Sequence, residues 1–110
     1  MSSVIALIFD FDDTLAPDST TGFLNDIGVD SARFWKEDVD PLLAADWDPV
    51  PAYLHRMIAL SQSGRHGLIT RERLADWGRR LPLHEGVETL FERLRARVYE
   101  ADPRVQLEFY

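Results

Sequence analysis

Cysteine is missing from this chain of 110 residues. Its absence excludes a disulfide framework, thiol catalysis and cysteine-ligated zinc. Histidine is sparse: His55, His66 and His84 stand far apart, without the spacing of a metal-ligand set. There is no low-complexity tract and no internal repeat. The N-terminal apolar run is too short to cross a membrane and lacks a basic flank, so it is neither a transmembrane helix nor a signal peptide. A cytoplasmic protein with no membrane partner is the expectation. Positive charge is short as well, the net charge being -7. Eleven of the nineteen acids fall in Met1–Asp48, where Arg33 and Lys36 are the cations; the other eight face ten arginines. This balance argues against nucleic acid as a general partner. The acidic N-terminal part suits a divalent cation, and the arginine-rich remainder reads mainly as solvated helix faces. At 45% hydrophobic residues the chain can bury a core, on the scale of one domain or part of one.

What is present begins at the N terminus. Val4-Ile5-Ala6-Leu7-Ile8-Phe9 is an unbroken apolar run rich in β-branched residues, the pattern of a strand buried on both faces. Asp10-Phe11-Asp12-Asp13-Thr14-Leu15 follows directly. Carboxylates beside a core are costly unless something binds them. In open α/β sheets the C-terminal end of a central strand is where ligands sit.

The rest of the chain is mostly helical by pattern. A short helix is expected around Gly22–Ile27, capped by Ser19 or Thr20 and ended at Gly28. Asp30 is placed to cap the next, with Phe34, Trp35, Val39, Leu42 and Leu43 on its apolar side and Pro41 set to kink or break it. Asp48-Pro49 is a cap followed by a first-turn proline, opening a helix to about Ser61. Thr70 caps another, with Ile69 and Leu74 spaced as a hydrophobic staple and Pro82 ending it. The stripe Val87, Leu90, Phe91, Leu94, Val98 marks a helix over 86–99, and Arg104–Tyr110 alternates as a strand. The order is strand, helices, strand.

The acidic motif has a chemical reading of its own. In an extended backbone Asp10 and Asp12 share one side. One carboxylate can attack phosphorus while the other protonates the leaving oxygen, with Mg²⁺ offsetting the repulsion between acids and phosphate. An EF-hand loop is rejected: counting from Asp10, its sixth and twelfth positions are Leu15 and Thr21 instead of Gly and Glu. Ile8-Phe9-Asp10-Phe11-Asp12-Asp13-Thr14-Leu15 resembles the first motif of the haloacid dehalogenase-like hydrolase superfamily, a hydrophobic strand followed by Asp-x-Asp-x-Thr-Leu. The resemblance implies that Asp10 is the nucleophile and a metal ligand. It implies that Asp12 is the general acid and base and also touches Mg²⁺, and that Thr14 shapes the loop through its hydroxyl. Asp13 fills a variable position. An acid at the place of Asp12 favours phosphoryl transfer over dehalogenation, because halide needs no proton to leave.

The same resemblance implies an α/β fold: an incomplete Rossmann-like core of two strands over residues 1–18 and 82–110, with an inserted helical cap over 19–81 of the phosphoserine-phosphatase type. His84-Glu85-Gly86-Val87 resembles the return to the core. The implied partner is a small phosphorylated metabolite. The family's later motifs, a Ser or Thr after the next strand, a Lys or Arg and an acidic pair, have no counterpart in these residues. A fragment is therefore expected, or a chain whose sheet a homo-oligomer completes. Turnover by these residues alone should be slight. The competing expectation is a non-catalytic helical binding or oligomerisation module that pairs through its exposed last strand.

Overall fold

The computed structural model describes Ser3–Tyr110. The elements are β1 (Ser3–Leu7), α1 (Ser19–Asp26), α2 (Ser31–Arg33) running through a π-helical segment (Phe34–Val39) into α3 (Asp40–Ala44), then α4 (Pro49–Ser63), α5 (Arg71–Arg80), α6 (Val87–Ala101) and β2 (Val105–Phe109). Strands and helices are mixed, and β1 pairs with β2 in parallel, as an α/β chain requires. The chain divides into two compact units. One joins the segment through Asp18 to Pro82–Tyr110, and the other is Ser19–Leu81.

In the strand-bearing unit the register pairs Ser3 with Val105 and Leu7 with Phe109. The ladder continues past β1, where Phe9 N–H donates to the Tyr110 carbonyl (2.7 Å) and Tyr110 N–H to that of Leu7 (2.9 Å). One sheet face is covered by α6. Phe91 of that helix lies 5.6 Å from the Phe9 ring and 4.7 Å from the Phe109 ring. Burial of β1 on both faces is not observed: Val4 is 58% exposed, Ile5 44% and Ile8 82%. Two strands and one helix cover a single face, and alternate side chains leave the sheet on opposite sides. Val4 and Ile8 therefore stand on the uncovered side.

The helical unit holds the main core. Leu24, Val29, Phe34, Val39 and Ala52 are buried together, with Trp35, Tyr53, Met57 and Leu60 packed around them. Local chemistry sets the helix ends. α1 closes in a Schellman turn: Val29 N–H donates to the Leu24 carbonyl (2.9 Å), Gly28 N–H to that of Asn25 (3.1 Å), and Gly28 adopts φ +87°. The Asp30 side chain accepts from Arg33 N–H, and that of Thr70 from Arg73 N–H, so both cap as expected. Asp48 precedes α4 without a side-chain cap bond. Pro41 does not break its helix, which continues through Asp40–Ala44. The turn before it is widened into π geometry, with Asp40 N–H reaching the Trp35 carbonyl. That widening makes room for a ring that would otherwise strike the preceding turn.

Candidate functional site

The acidic motif forms a tight turn directly after the strand ladder. The Phe11 carbonyl gathers three amide donors: Thr14 at 3.2 Å, Leu15 at 3.0 Å and Ala16 at 3.2 Å. Asp12 bridges to Ala16 in a parallel pairing of the two backbones. Ala16 is completely buried, and the Leu15 carbonyl accepts the His84 amide at 2.9 Å. The turn is thereby fastened at its base and tied to the segment that leads into α6. Asp10, Asp12 and Thr14 remain exposed above it.

Thr14 reaches back within the turn, its hydroxyl donating to the Asp10 carboxylate at 3.3 Å. Asp10 and Thr14 are thus brought together, and Asp12 is held in the same turn by its backbone. Asp13 is the residue that sequence reasoning passed over. Its φ of +59° lies in the left-handed region, which costs most L-residues roughly 1–2 kcal/mol and is milder for Asp and Asn. This residue reverses the chain between Asp12 and Thr14. As the third acid of the motif it gave no hint of its special backbone, although Asp is one of the few non-glycine types that tolerate it.

The donor set suits a hard cation in kind. Two exposed carboxylates offer oxygen ligands, and Mg²⁺ commonly takes one or two carboxylates and keeps several waters. No group of three or more His, Cys, Asp or Glu side chains gathers into a metal site among the described residues. Asp10 and Asp12 would hold such an ion with water completing its shell.

Two of the cations of this unit are engaged elsewhere. Arg104 lies at the opposite end of the sheet, donating to Asp102 at 2.9 Å and holding that carboxyl below its ordinary range. Arg95 stacks on the Phe109 ring at 4.7 Å. In the helical unit, His55 packs on Trp47, and Arg56 donates to the Asp38 carbonyl. Arg80 is clamped between Asp26 and Asp76, each with a contact at 2.8 Å. This network fixes α1 against α5. Compared with protein-family models, with curated proteins and with solved structures, the chain finds no match.

Proposed function

We propose that the acidic turn is the nucleophile and acid/base half of a Mg²⁺-dependent phosphoryl-transfer site acting on a phosphomonoester of a small metabolite. The observation that supports this reading is the turn itself. Asp10 is presented at the C-terminal end of a parallel strand, exposed, with a hydroxyl donor from Thr14 on its carboxylate. A carboxylate in that place is oriented yet open to a substrate, which nucleophilic attack requires.

In the proposed reaction Asp10 forms an O–P bond and the bond from phosphorus to the alkoxide breaks. Asp12 gives its proton to that alkoxide, and the alcohol leaves. Asp12, now a carboxylate, takes a proton from water as the water oxygen attacks phosphorus. Inorganic phosphate departs, Asp10 is restored and Asp12 is again protonated. A Mg²⁺ ion, when bound, supplies charge neutralisation between the acids and the phosphoryl oxygens. Thr14 orients Asp10. Turnover by these residues is slight, since the segment Asp10–Leu15 carries acids and no cation of its own, and electrostatic stabilisation is often the largest catalytic contribution.

The test is covalent trapping. The chain is incubated with an activated aryl phosphate and Mg²⁺, quenched in acid and digested. The expected product is one hydroxylamine-labile phosphoryl group on the Asp10 peptide, absent from Asp10→Asn and slower to hydrolyse in Asp12→Asn. Wild-type chain that stays unlabelled, or a label that survives in Asp10→Asn, refutes the assignment.

A further inference from the structure

The helical unit carries a cavity of about 330 Å³ whose lining comes from one continuous stretch, residues 28–66. That volume lies at the small end of the range of small-molecule sites. The floor is apolar: Val29 and Phe34 are buried, and Leu60 packs against the same core. The polar groups come from two walls. Asp38 lies on the π-helical segment, and the Arg56 guanidinium holds its carbonyl at 2.8 Å. Turns of π geometry are rare and occur often at functional sites. Arg65 and His66 lie on the turn after α4, framed by Gly64 at φ +72° and Gly67 at φ +77°. Arg73 fixes that turn by donating to the His66 and Leu68 carbonyls at 2.9 and 2.8 Å. The His66 ring lies against Gly28, where a Cβ would stand 3.7 Å from Nδ1. The backbone of both walls is thus set in advance, which lowers the cost of ordering on binding.

The charges that line the cavity divide into matched and unmatched. Arg33 pairs with Glu37 at 2.7 Å, and Asp30 caps the Arg33 amide. Among the described residues, the Asp38 carboxylate, the Arg65 guanidinium and the His66 imidazole enter no hydrogen bond or ion pair. We propose that this cavity binds a free α-amino acid with an apolar side chain. Its carboxylate meets Arg65 and His66, its ammonium meets Asp38, and its side chain lies over Val29, Phe34 and Leu60. Charge selects the class of ligand. A simple anion would gain Arg65 but meet the Asp38 carboxylate, and a simple amine would gain Asp38 but meet Arg65. A zwitterion answers both, through charge-assisted hydrogen bonds of matched sign. The apolar floor favours a ligand with hydrocarbon to bury. This inference does not depend on the phosphoryl-transfer reading, since no residue of the acidic turn lines the cavity.

Amide chemical shifts of the full chain test it, in an NMR titration carried to about 10 mM ligand, which covers weak binding. The probes are L-leucine, L-valine and L-phenylalanine. The carboxylate-only and amine-only halves of leucine, 4-methylpentanoate and 3-methylbutylamine, are run beside them. At least one amino acid should saturate and shift the amides of Asp38, Arg65 and His66. Each half should bind more weakly than leucine by about tenfold or more, the loss expected for one charge-assisted hydrogen bond. Arg65→Gln and Asp38→Asn alter exposed side chains. Each should weaken amino-acid binding by about tenfold and leave the rest of the spectrum in place. Should a variant unfold, the comparison of leucine with its two halves on wild type decides. No binding by any of the three amino acids, halves that bind as tightly as leucine, shifts that map away from the cavity, or a folded variant that binds like wild type each overturns the proposal.

Discussion

Gly22 sits inside α1, where alanine is ordinarily the better residue by about 1 kcal/mol. The packing of Trp77 reverses that preference. A Cβ at Gly22 would lie 2.6 Å from Trp77 Cζ2 and 3.2 Å from Cη2, where ordinary contact begins near 3.4 Å. The indole cannot simply slide away, because its Nε1–H donates to the Ser19 carbonyl at 3.1 Å and Arg80 lies over its ring at 5.6 Å. Forcing a methyl into a packed contact costs about 1–3 kcal/mol. Loss of the indole hydrogen bond adds about 0.5–1.5 kcal/mol. Against the propensity gain, Gly22→Ala should be destabilising by about 1–3 kcal/mol. In a domain of this size each kcal/mol moves Tm by about 4–8 °C, so the melt should fall by about 5–20 °C. The mechanism is isolated by a double-mutant cycle. With Trp77→Leu in place the clash is gone, and Gly22→Ala should become neutral or stabilising by up to about 1 kcal/mol. A single variant that melts at or above wild type, or a cycle without coupling, refutes the reasoning.

Three further outcomes follow from the same geometry. Phe34 is among the largest fully enclosed side chains of the helical core, so Phe34→Ala should cost about 3–5 kcal/mol in urea unfolding; a loss under about 1 kcal/mol would show that this core is not the stabilising one. Asp26 is held below its ordinary carboxyl range, chiefly by hydrogen bonds from Arg80. Its folded value is the lower one, so the pair contributes above the unfolded value of 3.8 and that contribution fades as pH falls through the folded value. The Tm difference between wild type and Asp26→Asn should therefore shrink below about pH 4 and with added salt, and a difference that grows toward acid contradicts the pairing. Asp13→Gly should keep the amide chemical shifts of Thr14, Leu15 and Ala16, whereas Asp13→Val, which resists the left-handed region by roughly 1–2 kcal/mol, should disperse them. Equal spectra for the two variants would remove the role given to that backbone.

What could be read from the sequence was local. Asp30, Thr70 and Gly28 were legible because a cap needs one side chain, or one missing side chain, at the end of a periodic run. The two strands were legible from an unbroken apolar run at one end and an alternating one at the other, with a helical stripe before the second. Burial of β1 was misjudged because a continuous apolar run reports what a strand could tolerate, while its burial depends on what lies on each face. Pro41, expected to kink or break its helix, distorts the turn before it without breaking it, because the rule concerns α geometry and a widened turn evades it. The contact of Gly22 with Trp77 joins residues far apart in sequence, so neither residue alone signals it. The candidate site was legible as a set of residue types at a strand end, whereas its conformation was not. Three donors on the Phe11 carbonyl and the left-handed Asp13 arise from a turn that no periodicity describes.

The distribution of burial decides how the candidate site has to be tested. Among the described residues the buried side chains belong to the helical unit, with Ala16 the exception. Ala16 is the foot of the acidic turn, where its amide meets the Phe11 carbonyl and Asp12 pairs with its backbone. Asp10, Asp12 and Thr14 are exposed, and exposed polar substitutions commonly change stability by no more than about 0.5 kcal/mol. A thermal melt follows the helical core and is nearly blind to these three residues. Their removal should therefore leave Tm almost unmoved while abolishing or slowing phosphoryl capture. That separation distinguishes a turn kept for chemistry from one kept for folding. If Asp10→Asn lowered Tm by several degrees and the wild type captured no phosphoryl group, the acids would be structural and the turn a fastening for the segment into α6.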